Sequence, residues 1–271
     1  MQITDKVFVV TGGGNGIGRE VVLGLLERGA RVAALDLRAD SLEATAALAG
    51  AAHGDRLTLH AVDVSDRDAV TRAFADIVSA HEHIDGLLNV AGIIQQFAPI
   101  TEVDISELEK VMAVNFWGVV YTTKAALPLL LARPEACIVN VSSMGGFTPV
   151  PGQTGYGASK AAVKLFTEGL YAELRGTKVA VSIVFPGAIG TDISVNSGVT
   201  TAEKVAEQKS GSSFPMTDPK DAGAQVIEAV EKGPYRMMIG RDAAMLDRFS
   251  RLAPQRATET IAKRMAALVG T

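Results

Sequence analysis

The chain has 271 residues, 48 % hydrophobic and 21 % charged, which excludes a disordered protein and allows a sizeable core without staples. A formal net charge of −4, with acids and bases interspersed, leaves no basic footprint for nucleic acid. The one cysteine, Cys137, excludes an internal disulfide and a thiolate metal cluster, and its apolar surroundings read as a buried structural thiol.

The chain runs at once into Lys6-Val7-Phe8-Val9-Val10, without a signal-peptide pattern, and no apolar run approaches the roughly 18 residues that cross a bilayer. A cytoplasmic chain with no integral membrane segment is expected. The first strand, over 7–11, ends in Thr11-Gly12-Gly13-Gly14-Asn15-Gly16-Ile17-Gly18, and a helix follows over 19–28. Glycines let the backbone turn tightly and approach a pyrophosphate, while the helix N-terminus presents free N–H groups and the positive end of its dipole. Gly12, Gly16 and Gly18 fit G-x-x-x-G-x-G, whereas G-x-G-x-x-G fails in every register. Gly12, Asn15, Gly16 and Ile17 are therefore candidate nucleotide contacts.

A second strand over 31–35 closes on Asp36 and Leu37. An acid there can accept both ribose hydroxyls and repels a 2′-phosphate, which favours NAD; Arg38 nearby leaves an opening for NADP. Further strands are read over 57–61, 86–90, 137–141, 180–185 and 237–239, with helices over 66–80, 106–131, 157–175 and 221–231. His81 and His83 read as polar surface residues at a helix end. Most strands are continuous apolar runs, as strands buried on both faces are. The rhythm is that of an α/β, Rossmann-type doubly wound parallel sheet of about seven strands, one domain over 1–271.

Tyr156 and Lys160 lie four apart at the start of a helical pattern, so one face presents both. A free phenol titrates near about 10, and an adjacent ammonium favours its phenolate, making a proton donor–acceptor tuned towards working pH. Ser142-Ser143 ends the 137–141 strand, whose alternation points the two side chains to opposite faces.

The motifs, in their order, resemble those of the short-chain dehydrogenases/reductases over nearly the whole chain: Thr11–Gly18, Asp63-Val64, Asn89-Val90-Ala91-Gly92 (usually Asn-Asn-Ala-Gly), Asn115, Ser143, Tyr156-x-x-x-Lys160 and Pro186–Thr191. The resemblance implies hydride transfer between a nicotinamide and a secondary alcohol or ketone, with Tyr156 moving the hydroxyl proton and Ser143 polarising the substrate oxygen. Asn115 would hold a water that connects Lys160 to solvent. Asp63, Val64, Asn89 and Ala91 would contact the cofactor, as would Pro186, Ile189 and Thr191 towards its nicotinamide. No metal is expected.

Residues 192–219 break the pattern and resemble the family's substrate lid. Its members Ile193, Val195, Val199, Val205, Phe214 and Met216, with Met144, Phe147, Val150, Gln153 and Gln95-Gln96-Phe97, suggest a largely apolar substrate pocket. Residues 242–271 form a helical extension that departs from the usual family ending. Its apolar stripes, Met245, Leu246, Phe249 and Leu252 and then Ile261, Met265 and Leu268, read first as packing on the lid or a sister subunit, and second as a membrane-surface contact. The departure leaves homodimer and homotetramer both open. A nucleotide-sensing protein without turnover is the alternative function on the same fold, and a sugar-nucleotide epimerase is disfavoured by the glycine spacing.

Overall fold

A computed structural model describes residues 1–200 and 216–265. Seven parallel strands form one sheet in the order β3-β2-β1-β4-β5-β6-β7. They are β1 (Val7–Thr11), β2 (Arg31–Asp36), β3 (Leu57–Ala61), β4 (Gly86–Asn89), β5 (Ala136–Val141), β6 (Val179–Pro186) and β7 (Arg236–Ile239). Each lies within a residue or two of its expected bounds. The helices are α1 (Gly16–Glu27), α2 (Ala39–Ala49), α3 (Arg67–His81), α4 (Ile105–Met112), α5 (Gly118–Leu131), α6 (Thr154–Glu173), α7 (Ile193–Asn196), α8 (Pro219–Lys232), α9 (Arg241–Leu252) and α10 (Pro254–Met265).

Alternation on β1 divides the core into two layers. Phe8 and Val10 pack with Val21, Leu25, Val226 and Val230 of α1 and α8, while Val9 faces Phe74, Ile77, Leu130 and Leu170 of α3, α5 and α6. Both faces are covered over the central strands, which are mostly apolar, whereas the edge strand β3 carries Thr58 and His60 and is partly exposed. Cys137 is buried in the first layer, where burial pushes its thiol up to about 12 and leaves it inert. The strand order reverses about β1 and β4, and a crevice opens beyond their C-terminal ends, where Thr11 stands opposite both Leu35 and Asn89.

Two expectations are corrected. His81 is not a surface residue: it is 1 % exposed, its Nε2 lies 2.8 Å from Thr58 Oγ1, and Nδ1 has no partner among the described residues. Burial first, then the nearby Arg31, His60 and His83, lowers its pKa from 6.5 to about 4. The helix expected over 106–131 is interrupted by a π-helical turn, Ala113–Trp117, between α4 and α5. Such turns insert one residue and re-aim side chains, and this one carries Asn115. The C-terminal extension, expected to pack on the lid or a sister subunit, begins with α9 against the sheet end. Its Asp242 accepts a hydrogen bond from Ala188 N at 2.7 Å, and Ser250 is hydrogen-bonded to Thr148, so the helix braces the segments that follow β6 and β5. Val205, Phe214 and Leu268 lie outside the described residues.

Candidate active site

The crevice is a cleft of about 320 Å³ between the ends of β1, β2, β3 and β4. Gly12, Asn15, Gly16 and Ile17 form one wall, Asp36 and Leu37 a second, and Asp63, Val64, Ala91 and Thr191 complete it. Asn89, Pro186 and Ile189 do not line it. The Asn89 carboxamide is 2 % exposed and inside the fold, donating to Asn140 Oδ1 at 2.9 Å and accepting from Thr122 Oγ1 at 2.8 Å. Pro186 ends β6, and Ile189 packs against the core.

The glycine turn is built by close approach. Gly12 has φ of 73°, and a Cβ there would stand 2.9 Å from Ala91 Cα; a Cβ on Gly18 would collide with the Gly12 carbonyl. Asp36 is joined to this turn, its Oδ2 accepting from Gly14 N at 3.0 Å and its Oδ1 from Arg38 N at 3.2 Å. Two further residues support the turn through contacts that the motif does not report. Thr11 Oγ1 accepts from Val90 N and Ala91 N, both at 3.1 Å, stitching β1 to the loop after β4. Arg19 donates to Gly14 O at 2.5 Å and to Thr45 Oγ1 at 3.1 Å, holding the turn against α2. A polar residue amid an apolar strand end was the available signal for Thr11.

Ser143, Tyr156, Lys160 and Asn115 converge beside the cleft. Ser142 Oγ donates to Lys160 O at 2.8 Å inside the fold, so strand alternation leaves Ser143 on the Tyr156 side. Ser143 Oγ and the Tyr156 ring flank Gly145, each 3.5 Å from where a Cβ would sit. Burial raises the Tyr156 pKa above its ordinary value, and the hydrogen bond to Ser143 draws it back. Burial, rather than the Lys160 ammonium, thus sets the direction for the phenol, contrary to the expectation from helix spacing. Lys160 is 4 % exposed, and burial lowers its pKa to about 8. Its Nζ donates to Val141 O at 3.1 Å and stands 6.0 Å from the centre of the Tyr156 ring.

Asn115 is fully buried and ties two segments together. Its Oδ1 accepts from Ile93 N at 2.8 Å, and its Nδ2 donates to Ile93 O and Ser159 Oγ, both at 2.9 Å. A Cβ on Gly92 would meet Lys160 Nζ at 3.1 Å and Asn115 Oδ1 at 3.3 Å, so both groups face the same glycine.

Some of the residues expected to line a substrate pocket are engaged inside the fold. Gln95 and Gln153 are buried and bonded to one another's segment, and Phe147 packs edge-on against Phe185, 5.2 Å between ring centres. Of the lid, Ile193, Asn196 and Ser197 line the nucleotide cleft. Arg38 donates to Asn196 Oδ1 at 2.9 Å, and Ser197 Oγ accepts from Ile94 N at 3.0 Å, so the start of the lid lies across the cleft. Among the described residues no cluster of three or more His, Cys, Asp or Glu could hold a metal, and no helix is long and apolar enough to cross a membrane.

Comparison with known proteins agrees with this geometry. The family model described as short chain dehydrogenase matches residues 6–202. SadH of Mycobacterium tuberculosis (strain ATCC 25618 / H37Rv), an oxidoreductase by provisional assignment, is 36 % identical over 255 residues, which cover 91 % of this chain and 90 % of SadH. A short chain dehydrogenase/reductase from Burkholderia phymatum, solved with NAD, superposes with a TM-score of 0.84 at 22 % identity, covering 94 % of this chain and 96 % of that one. A short chain dehydrogenase from Burkholderia cenocepacia J2315, solved with NADP, gives 0.79 at 28 % identity over 96 % and 99 %.

Proposed function

This chain belongs to the short-chain dehydrogenase family and is an oxidoreductase, and from that premise we propose that it moves a hydride between NAD and a hydrophobic secondary alcohol or ketone. The observation that carries the reading is the convergence of Ser143, Tyr156, Lys160 and Asn115 behind Gly92 and Ile93, which line a glycine-walled cleft that the four do not themselves line. The cleft suits a dinucleotide. Gly12 and Gly18 permit a turn that no side chain could enter, and the N-terminus of α1 offers the N–H groups a pyrophosphate needs.

Bound NAD supplies the hydride acceptor. Ser143 would hold the substrate oxygen, and Tyr156 would take the hydroxyl proton during oxidation and return it during reduction. The Lys160 ammonium would stabilise the phenolate, and Asn115, bonded to Ser159 beside it, would fix a proton exit to water. Thr191 lines the cleft and would face the nicotinamide end; Pro186 and Ile189 would shape the backbone behind it. The choice of NAD rests on Asp36, whose carboxylate lines the cleft and is held by Gly14 N and Arg38 N. The Arg38 guanidinium also lines the cleft and keeps its charge while donating to Asn196 Oδ1, so the choice of NAD gives the carboxylate of Asp36 the greater weight. Met144, Val150 and the exposed Phe97 and Met216 support an apolar substrate. Exposed Trp117, Leu131 and Leu165, at and along α5 and α6, support a homo-oligomer formed through these helices.

The test is a steady-state screen of secondary alcohols and ketones with each cofactor. A carboxylate facing a phosphate is worth about 1–3 kcal/mol, so kcat/KM should favour NAD over NADP by roughly tenfold or more. Tyr156→Phe should abolish turnover while NAD still binds in equilibrium titration. Preference for NADP overturns the assignment of Asp36, and full activity in Tyr156→Phe overturns the mechanism.

A further inference from the structure

Tyr156 is the third residue of α6, so its backbone N–H is one of the donors that a helix N-terminus leaves without an intrahelical partner. The local cap does not serve it: Gln153, which precedes the helix, makes no capping hydrogen bond through its side chain. The acceptor comes from across the fold. Gln95 Oε1 receives the Tyr156 N–H at 2.9 Å, and Gln95 is fully buried. The contact is reciprocated, since Gln153 Nε2 donates to Gln95 O at 2.7 Å and Gln95 Nε2 reaches Gly152 O at 3.4 Å. Space for it exists only because residue 155 is glycine: a Cβ there would stand 2.6 Å from Gln95 Oε1 and would also collide with Leu108.

The loop that holds Gln95 also touches the nucleotide cleft, through Ile93. Asn115 grips Ile93 at both its N–H and its C=O and reaches Ser159, one residue before Lys160. The loop over 93–95 is thus fastened to the Tyr156–Lys160 turn at two points, by Asn115 at Ser159 and by Gln95 at the tyrosine's own amide.

We propose that Gln95 is a positioning residue for proton transfer, fixing the backbone of Tyr156 relative to the cleft-lining loop. The inference rests on Tyr156 as the proton-transfer group of the proposed function. Reacting groups misplaced by a fraction of an ångström lose rate without losing binding, so the effect should fall on kcat rather than on affinity for the dinucleotide.

The experiment compares full-length Gln95→Met, Gln95→Glu and Tyr156→Phe with the parent enzyme, reading kcat, KM for NAD, the pH profile of kcat/KM and Tm. Gln95→Met removes the acceptor while keeping the volume, and kcat should fall roughly tenfold with KM for NAD within about twofold. Gln95→Glu keeps an acceptor at the amide, favoured by the helix N-terminus, while losing the long donor contact to Gly152 O, and should retain a kcat at least about threefold above that of Gln95→Met. Its carboxylate should also move the Tyr156 limb of the pH profile upward by a few tenths of a unit or more. A kcat for Gln95→Met within twofold of the parent overturns the inference. Equal losses of kcat and Tm in both Gln95 variants, with no shift in the pH profile, also overturn it, because they mark a merely structural role. Should Gln95→Met not fold, the pH shift in Gln95→Glu decides, and its absence counts against the inference. Full activity in Tyr156→Phe overturns the parent reading; an inactive Tyr156→Phe beside an unaffected Gln95→Met overturns the positioning role alone.

Discussion

Replacing Thr11 by valine removes a hydroxyl from the end of β1 and leaves the volume nearly unchanged. That hydroxyl accepts from Val90 N and Ala91 N at 3.1 Å each, and Thr11 is 2 % exposed, so water cannot take its place without moving the strand. An amide left without an acceptor costs about 1–3 kcal/mol when buried. These two are only partly buried, which places each in the lower half of that range and the pair at about 2–4 kcal/mol. Thr11→Ser is the control, since it keeps the hydroxyl and loses one methyl group, worth about 1 kcal/mol. Urea unfolding followed by circular dichroism, at one protein concentration, measures both free energies, and in thermal unfolding the valine variant should lose roughly 4–7 °C in Tm. Because Gly12 and Ala91 both line the cleft, NAD affinity should fall in Thr11→Val as well. A loss below about 1 kcal/mol in Thr11→Val, or equal losses in the two variants, would refute the reasoning.

Lys160, held at about 8 against an ordinary 10.5, is disfavoured as an ammonium in the folded chain. Between those values the unfolded chain binds the extra proton, so this group makes stability rise with pH from about 8 to 10.5. Lys160→Met should therefore lose turnover yet unfold at higher urea than the parent at pH 7, with the gain shrinking above pH 8; a variant less stable at pH 7 would contradict this. His81, lowered from 6.5 to about 4, behaves likewise on the acid side: the unfolded chain takes up the proton first, and stability falls as pH drops through that window. Urea titrations from pH 7 to 4 should show a shallower acid slope in His81→Gln, and an unchanged slope would assign the loss to other groups. Gly18→Ala, whose methyl collides with the Gly12 carbonyl, should weaken NAD binding by an order of magnitude or more in equilibrium titration, and parent-like affinity would show that the turn can yield.

Most strands were legible because both faces of the central sheet are covered, so they are written as largely apolar runs between turn residues. Tyr156 and Lys160 were legible because a helix converts a spacing of four into a shared face. What escaped depends on partners distant in the chain. Nothing near His81 announces that Thr58 will meet its ring inside the fold, 23 residues away. Gln95 reads as a pocket residue until the amide of Tyr156, 61 residues on, is placed against it. The π-helical turn at Asn115 leaves the apolar pattern of 106–131 intact, since inserting one residue into a backbone ladder changes hydrogen bonding without changing composition. The direction of the Tyr156 shift escaped for a related reason: spacing reports proximity to Lys160, whereas desolvation depends on everything packed around the ring.

The Asn89 carboxamide has a consequence for how this protein folds and loosens. Asn89 bonds Thr122 of α5 and Asn140 of β5, and Asn140 in turn donates to Thr167 of α6 at 2.9 Å. One polar chain thus crosses from helix to strand to strand to helix through the interior, and its links close loops of 33, 51 and 27 residues. Such long loops close late, after the sheet has brought their ends together. Once closed, neither helix can part from the sheet without stranding a polar group that the other helix depends on. The amides of α5 and α6 should then exchange with deuterium as one cooperative unit, with the reactive tyrosine and lysine held on the more slowly opening part of the molecule.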